Sequence, residues 1–520
     1  MSAPTSRLFL SQSFSDSLRI YLVLHGIFRV VGMLRGVILT WFMVKADYGL
    51  LYVTLLIVNV LTPLCSLGLN EAVARYVPAF ETKGQLWFFL RRAAPLVAGT
   101  GIILAGAAFF SAPALAPNLF STLSLSSLAE QNADPSILVL TRLAACTVFA
   151  LIGYFLLIAV LKGLRMFRAL GLMECANAIL FAGAALTCVL IGYRSAWVII
   201  ACYLGSLLIA GSVFAVLLTR FLMRWHSQKA PITEARFVQR MFAFSLWAAF
   251  AAVVWQLLQY YPVWFLNKSY GPELTGIFGG VRHLAQFVLV AAIAIATVVM
   301  TVVTKTWEAR GQEMADRQLS LAYKTVILLL FAGCVVLAVG RRYLVSILHP
   351  DYHAGADVVP ALLAFFLLAA NLCFLSIHFN LIEKTRLLFW PWSIGMGCNI
   401  LFALRWVGPD VPDPLQGAAN AGVAAMLVAL LVCIVLLHAE QRPIGRGEII
   451  VMASTGLLYT TPLVLVVGGL LLLTLAATTS LVVNDAERTS ARYYLRQSVL
   501  GSRNNLSPKS HDRTKPESPG

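Results

Sequence analysis

The chain has 520 residues, 59% of them hydrophobic and only 12% charged, with a mean hydropathy of +0.82. Those values exclude a water-soluble globular protein, and apolar runs of about 20 residues recur from end to end, which in lipid must be helices because only a helix satisfies its own backbone donors and acceptors. The net charge of +16 does not imply nucleic acid, because the Lys and Arg residues are distributed as membrane topology requires.

Residues 1–19 lack the charged, apolar and small-residue order of a cleavable signal, and Phe9, Leu10, Phe14 and Leu18 predict a short cytoplasmic interfacial helix. Twelve spans follow, near 20–43, 48–69, 88–110, 137–161, 169–190, 197–219, 242–266, 275–303, 325–347, 357–382, 387–407 and 418–438. The first six form an N-lobe over 20–222, a cytoplasmic linker covers 223–240, and the other six form a C-lobe over 241–438. The apolar stretch 448–483 is too long for one ordinary helix, and Pro462 and Gly468–Gly469 offer breaks, so it supplies one or two additional spans and a total of 13–14 transmembrane helices. Residues 484–520 read as a disordered basic tail with seven basic and four acidic residues, which prefers the cytoplasm and so favours fourteen spans. The fold class is an all-α polytopic membrane protein.

With the N-terminus cytoplasmic and the loops alternating, 22 Lys and Arg fall in cytoplasmic segments up to residue 448 and six in external ones. The positive-inside rule sets that orientation, in a cell inner membrane. All loops are short, and the longest external one, 111–136, has no Lys or Arg. No loop houses an enzyme domain, and no GxxxxGK[ST] phosphate loop or Asp-x-Asp motif occurs. The nine cysteines are scattered singly and read as small buried apolar residues.

The two halves carry a repeat. Tyr48-Gly49 and Tyr270-Gly271 lie 222 positions apart, and ILFA at 179–182 and at 400–403 lies 221 apart. Six spans per half give both halves one orientation, hence parallel repeats with a binding site between lobes near the midplane.

Four segments, KADYGLL, LGLNEAVARYVP, LKGLRMFRALG and LHPDYHAGADVVPALLAF, resemble in order and spacing the Wzx-type polysaccharide flippases of the multidrug/oligosaccharidyl-lipid/polysaccharide exporter superfamily. The resemblance covers roughly residues 15–440. It implies two six-helix lobes around a partly cationic cavity that passes an undecaprenyl-diphosphate-linked oligosaccharide across the inner membrane, with a polysaccharide polymerase as a possible partner. The stretch after Gly447 departs from a plain twelve-span pattern.

Arg29 and Arg35 lie inside the first span, in LHGIFRVVGMLRG. An Arg near a helix centre costs about 2.5–3.5 kcal/mol on insertion scales, so it needs a partner, water or a route to the interface. Arg29 is about 13 Å from the inner end of its span, too deep for snorkelling alone. Two readings stand: pairing with a buried carboxylate or carbonyl of a neighbouring helix, or lining a cavity that meets an anionic head group. His25 lies one turn before Arg29 on the same face, whereas Arg35 is turned about 120° away, which leaves one of the two arginines a structural role. Shifting Arg35 by the repeat lands between Gln256 and Gln259, and shifting Asn59 lands beside Arg282 and His283. In the resembling family these spans flank the cavity, so His25, Arg29, Arg35, Gln256, Gln259 and Arg282 are the expected substrate contacts. Fixed guanidinium groups suit a diphosphate because they present paired N–H donors and stay charged.

Membrane-embedded acids are nearly absent. Glu174 is the candidate for coupling to a proton or sodium gradient, although its first expectation is an interfacial partner in Arg165 or Arg168; Glu383 sits at the inner edge of its span. His349, Asp351 and His353 have metal-binding side chains, but Pro350 breaks helical spacing and no metal or other cofactor is expected. A lipid II flippase or a drug/cation antiporter of the same superfamily is an alternative, the antiporter disfavoured because this cavity would carry arginines rather than a carboxylate. A polytopic polymerase or glycosyltransferase is disfavoured by the short loops.

Overall fold

The computed structural model describes residues 14–82, 84–120, 135–224, 237–382, 384–408, 411–442 and 444–482, and every regular element among them is helical. The first half contains α1 (Phe14–Phe42), α2 (Lys45–Ser66), α3 (Leu69–Thr82), α4 (Leu86–Phe110), α5 (Ala112–Leu119), α6 (Pro135–Gly163), α7 (Phe167–Ile191) and α8 (Ala196–Arg224). The second contains α9 (Phe237–Tyr270), α10 (Pro272–Ala285), α11 (Phe287–Arg310), α12 (Gln312–Val339), α13 (Arg341–Val345), α14 (Val359–Leu381), α15 (Phe389–Trp406) and α16 (Pro414–Ala439), followed by α17 (Arg446–Ala453) and α18 (Pro462–Thr478). Twelve segments are long and apolar enough to cross a bilayer, α10 and α11 together making one of them. The chain is a multi-pass membrane protein.

Local chemistry sets the boundaries. Proline opens α6, α10, α16 and α18, where the missing N–H was never going to find an intrahelical partner. The predicted interfacial helix is not separate: Phe14 to Arg19 are the first turns of α1, while Phe9 and Leu10 lie outside the described residues. LGLNEAVARYVP begins in the break between α2 and α3 and forms most of α3. Leu67 and Gly68 both take left-handed backbone, which ends α2 and starts α3 in a new direction.

At the centre of the C-lobe its fourth span, α14, is buried along most of its length, packed by α11, α12 and α16; in the N-lobe α6 packs among α2, α3, α4 and α8, and α2 is buried to at least the same extent. A helix apolar all round belongs at such a centre. Peripheral helices keep one face outward: Val23, Ile27, Val30 and Leu34 form an exposed stripe on α1, as a lipid-facing surface should. At 100° per residue His25 and Arg29 fall on the opposite side.

The lobes meet at both ends of the spans. At the end predicted to be external, α2 and α10 touch backbone to backbone, and a Cβ on Gly49 would lie 1.9 Å from the Pro272 carbonyl oxygen, so only glycine fits. There too the Trp41 indole donates to the Ile347 carbonyl at 2.8 Å, and Lys45 Nζ lies 3.8 Å from Asp351 Oδ2. At the other end Gly68 lies against Ser245 and Ala249 of α9.

The stretch after α16 folds as a hairpin. One limb is α17 and the 3-10 turn Ser454–Tyr459, about 24 Å long at the standard rises; the return limb is the 17-residue α18. Its base closes where Gly447 packs on the Val482 backbone, and at its tip the Tyr459 hydroxyl donates to Asn420 Oδ1 at 3.1 Å, near the opposite end of α16. Residue 482 therefore returns to the side from which residue 447 set out. Arg442 fixes the approach to the hairpin through an ion pair with Asp316, its guanidinium 4.9 Å from the Trp307 ring centre.

Candidate functional site

Arg29 is held by a chain of hydrogen bonds that joins two helices. Its Nε donates to His25 Nε2 at 3.2 Å, and His25 Nδ1 lies 3.1 Å from Glu174 Oε2 of α7. The i,i+4 spacing brings the two α1 side chains together. Tight packing brings the carboxylate: Gly171 has no side chain to keep Leu24 away, and Cys175 Sγ lies 3.0 Å from the Leu24 carbonyl oxygen. Glu174 therefore sits on the α1 face of α7, only 8% exposed.

This corrects the expected pairing of Glu174 with Arg165 or Arg168. Arg165 ends the preceding turn in left-handed backbone and acts instead on Glu81, whose carboxyl is raised by burial and lowered again by Arg165. Arg168 opens α7, two turns before Glu174.

Arg282 of α10 is 2% exposed, and its guanidinium carbon lies 5.0 Å from the Tyr260 ring centre, 5.0 Å from that of Phe365 and 4.9 Å from that of Phe366. Its Nε and Nη2 atoms have no hydrogen-bond partner among the described residues. The charge is thus held by aromatic faces, at about 0.5–2 kcal/mol each, with Tyr52 as a polar neighbour, and two of its three nitrogens make no hydrogen bond within the described residues. Tyr260 is shared: it is also an electrostatic neighbour of Arg29, and the Tyr52 ring lies 6.4 Å away. Tyr260 is thus an electrostatic neighbour of one arginine from each lobe.

The other predicted contacts separate from this pair. Arg35 turns into the N-lobe, 3.8 Å from the Phe181 ring centre, with Tyr48 and Tyr203 as further neighbours. Gln259 is buried and Gln256 half-buried on α9, one and four positions before Tyr260. His283, beside Arg282, packs into the space left by Gly36 of α1 and joins the lobes. Glu383 lies outside the described residues. His349 and Asp351 belong to the contact between lobes, and among the described residues no three His, Cys, Asp or Glu side chains gather closely enough to hold a metal ion.

Sequence reasoning missed Tyr52, Tyr260, Phe365 and Phe366. In an apolar helix such residues carry no signal that separates a cation's neighbour from ordinary core.

Residues 16–307 match the family described as polysaccharide biosynthesis protein. Among solved structures, the lipid II flippase MurJ in an inward closed conformation superposes with a TM-score of 0.61 at 14% identity, covering 88% of this chain and 98% of that one. A multidrug resistance MATE family transporter of the MOP superfamily, outward-facing, gives 0.58 at 14% identity over 85% and 98%. A MOP superfamily transporter from Pyrococcus furiosus, described with a binding pocket of reverse polarity, gives 0.55 at 16% identity over 89% and 100%. At these identities the likeness is one of fold. No curated protein sequence matches the chain.

Proposed function

This chain belongs to the polysaccharide biosynthesis protein family, and from that premise we propose that it flips a polyprenyl-diphosphate-linked oligosaccharide, of the undecaprenyl type, across the inner membrane by alternating access. The N-terminus lies in the cytoplasm, where the cargo loads. The reading is carried by Arg29 and Arg282, charged groups from opposite lobes that have Tyr260 as a common electrostatic neighbour, while Nε and Nη2 of Arg282 make no hydrogen bond to a described residue. A buried charged group left short of hydrogen bonds costs more than the roughly 1–3 kcal/mol of a neutral one, so an anionic visitor that supplies acceptors gives the residue a reason to be there.

The same charges disfavour a cation exporter, because the carboxylate at this site, Glu174, is tied to His25. Outward release requires the contacts at Lys45–Asp351 and Gly49–Pro272 to part while the prenyl chain stays in lipid. The delivered repeat unit would then pass to a polymerase.

The reading is tested by replacing Arg29 and Arg282 singly with Ala and with Lys, and measuring membrane abundance and surface polysaccharide together. The Ala variants should be present at near-normal levels with polysaccharide output down about tenfold or more, equivalent to some 1.4 kcal/mol, and the lipid-linked intermediate should accumulate on the cytoplasmic leaflet. Lys should rescue in part, since it keeps the charge and loses the planar paired donors. Normal abundance with unchanged output in both Ala variants would sink the proposal.

A further inference from the structure

The hydrogen bonds around Arg29 fix where the protons are. Arg29 Nε can only donate, so His25 Nε2 accepts, the imidazole proton sits on Nδ1, and Nδ1 donates to Glu174 Oε2. His25 is neutral in this arrangement, and with Glu174 ionised the three side chains carry no net charge. The other titratable groups that face them are Tyr21 on α1, Tyr154 on α6, Cys175 on α7 and, towards Arg29, Tyr260 on α9. All four are uncharged near neutral pH, so Arg29 and Glu174 set the local balance.

We propose that His25 and Glu174 form a proton site linked to the cargo, so that binding a diphosphate at Arg29 takes up one proton at His25. The inference rests on the diphosphate reading above. When Arg29 turns its donors to an anion, His25 Nε2 loses the N–H it was accepting and Glu174 loses its nearby countercharge. A proton from solvent then forms an N–H bond at Nε2 while Nδ1 keeps its own. The imidazolium stands beside the Glu174 carboxylate and shields it from the incoming negative charge. No other bond is made or broken. By reciprocity, a protein that takes up a proton on binding binds more tightly as pH falls. Glu174 is here a positioning residue: it orients His25 and never touches the cargo.

The experiment is calorimetric titration of the full-length protein in detergent with farnesyl diphosphate, in buffers of different ionisation enthalpy, between pH 6.5 and 8.5. Wild type is compared with Glu174→Gln and His25→Gln, so that the probe's own titration cancels. Wild type should take up between about half and one proton more per bound probe than either substituted protein. Its affinity should also fall more steeply with rising pH than theirs, by up to about a further tenfold per pH unit, the limit for one linked proton. Equal proton counts and equal slopes overturn the inference, even if the substituted proteins melt earlier, because a merely structural role lowers stability and leaves the slope alone. Should one substitution prevent folding, wild type is read against the other. If farnesyl diphosphate does not bind wild type, the cargo reading itself fails and this inference with it.

Discussion

Two arginines inside the bilayer region are kept by different means. Arg29 shares its charge with Glu174 through His25, whereas Arg282 is surrounded by the rings of Tyr260, Phe365 and Phe366. Replacing Phe365 and Phe366 together with Leu should therefore lower stability by about 1–3 kcal/mol through lost cation–π contact, in addition to the change in packing. Thermal unfolding in detergent checks this as a double-mutant cycle: in an Arg282→Met background the same pair of substitutions should cost clearly less. An equal cost in both backgrounds would mean that the rings are core alone. The His25–Arg29 stripe was legible in the sequence because residues four apart share a helix face. The Glu174 partner was not, since His25 lies 149 positions away and the choice between it and the nearer Arg165 depends on which way α7 is turned.

At the scale of elements, apolar length fixed the spans well and local backbone fixed their ends poorly. The break at Leu67–Gly68 was carried in the sequence by one glycine, and the non-glycine residue beside it takes the same left-handed backbone as the C-cap of α2. Pro462 did mark the turn between α17 and α18. What composition could not supply was that the base of the hairpin closes on itself, with Val482 against Gly447. That closure returns residue 482 to the side of the loop before the hairpin. Alkaline phosphatase fused at Asn505 or near Lys229 should accordingly be inactive, and fused within 111–136 it should be active. Activity at Asn505 with inactivity at Lys229 would require the hairpin to cross an odd number of times.

For the whole molecule, the near-constant offset of 221–222 positions predicted two equivalent halves; the fourth span of the second half, α14, is its buried centre, whereas in the first half α2 shares that place with α6. The offset also pointed at Arg282 from polar positions in the first half. It could not predict how the lobes meet, because the residues that join them, Trp41 to Ile347 and Lys45 to Asp351, are not repeat equivalents of one another. Alternating access makes that contact breakable. A Lys45→Cys/Asp351→Cys pair, in a background with the nine native cysteines replaced, marks the place where side chains of the two lobes reach within 3.8 Å of each other; because a lysine spans most of that gap, the two thiols are tied by a short, reductant-cleavable bifunctional thiol reagent rather than by a direct disulfide. In proteoliposomes the untied protein should carry a fluorescent prenyl-diphosphate sugar from one leaflet to the other. Crosslinking should stop that movement, and reductant should restore it. Equal movement in the crosslinked and untied forms, or none above protein-free vesicles in the untied form, would contradict a diphosphate-lipid flippase that works by parting its lobes.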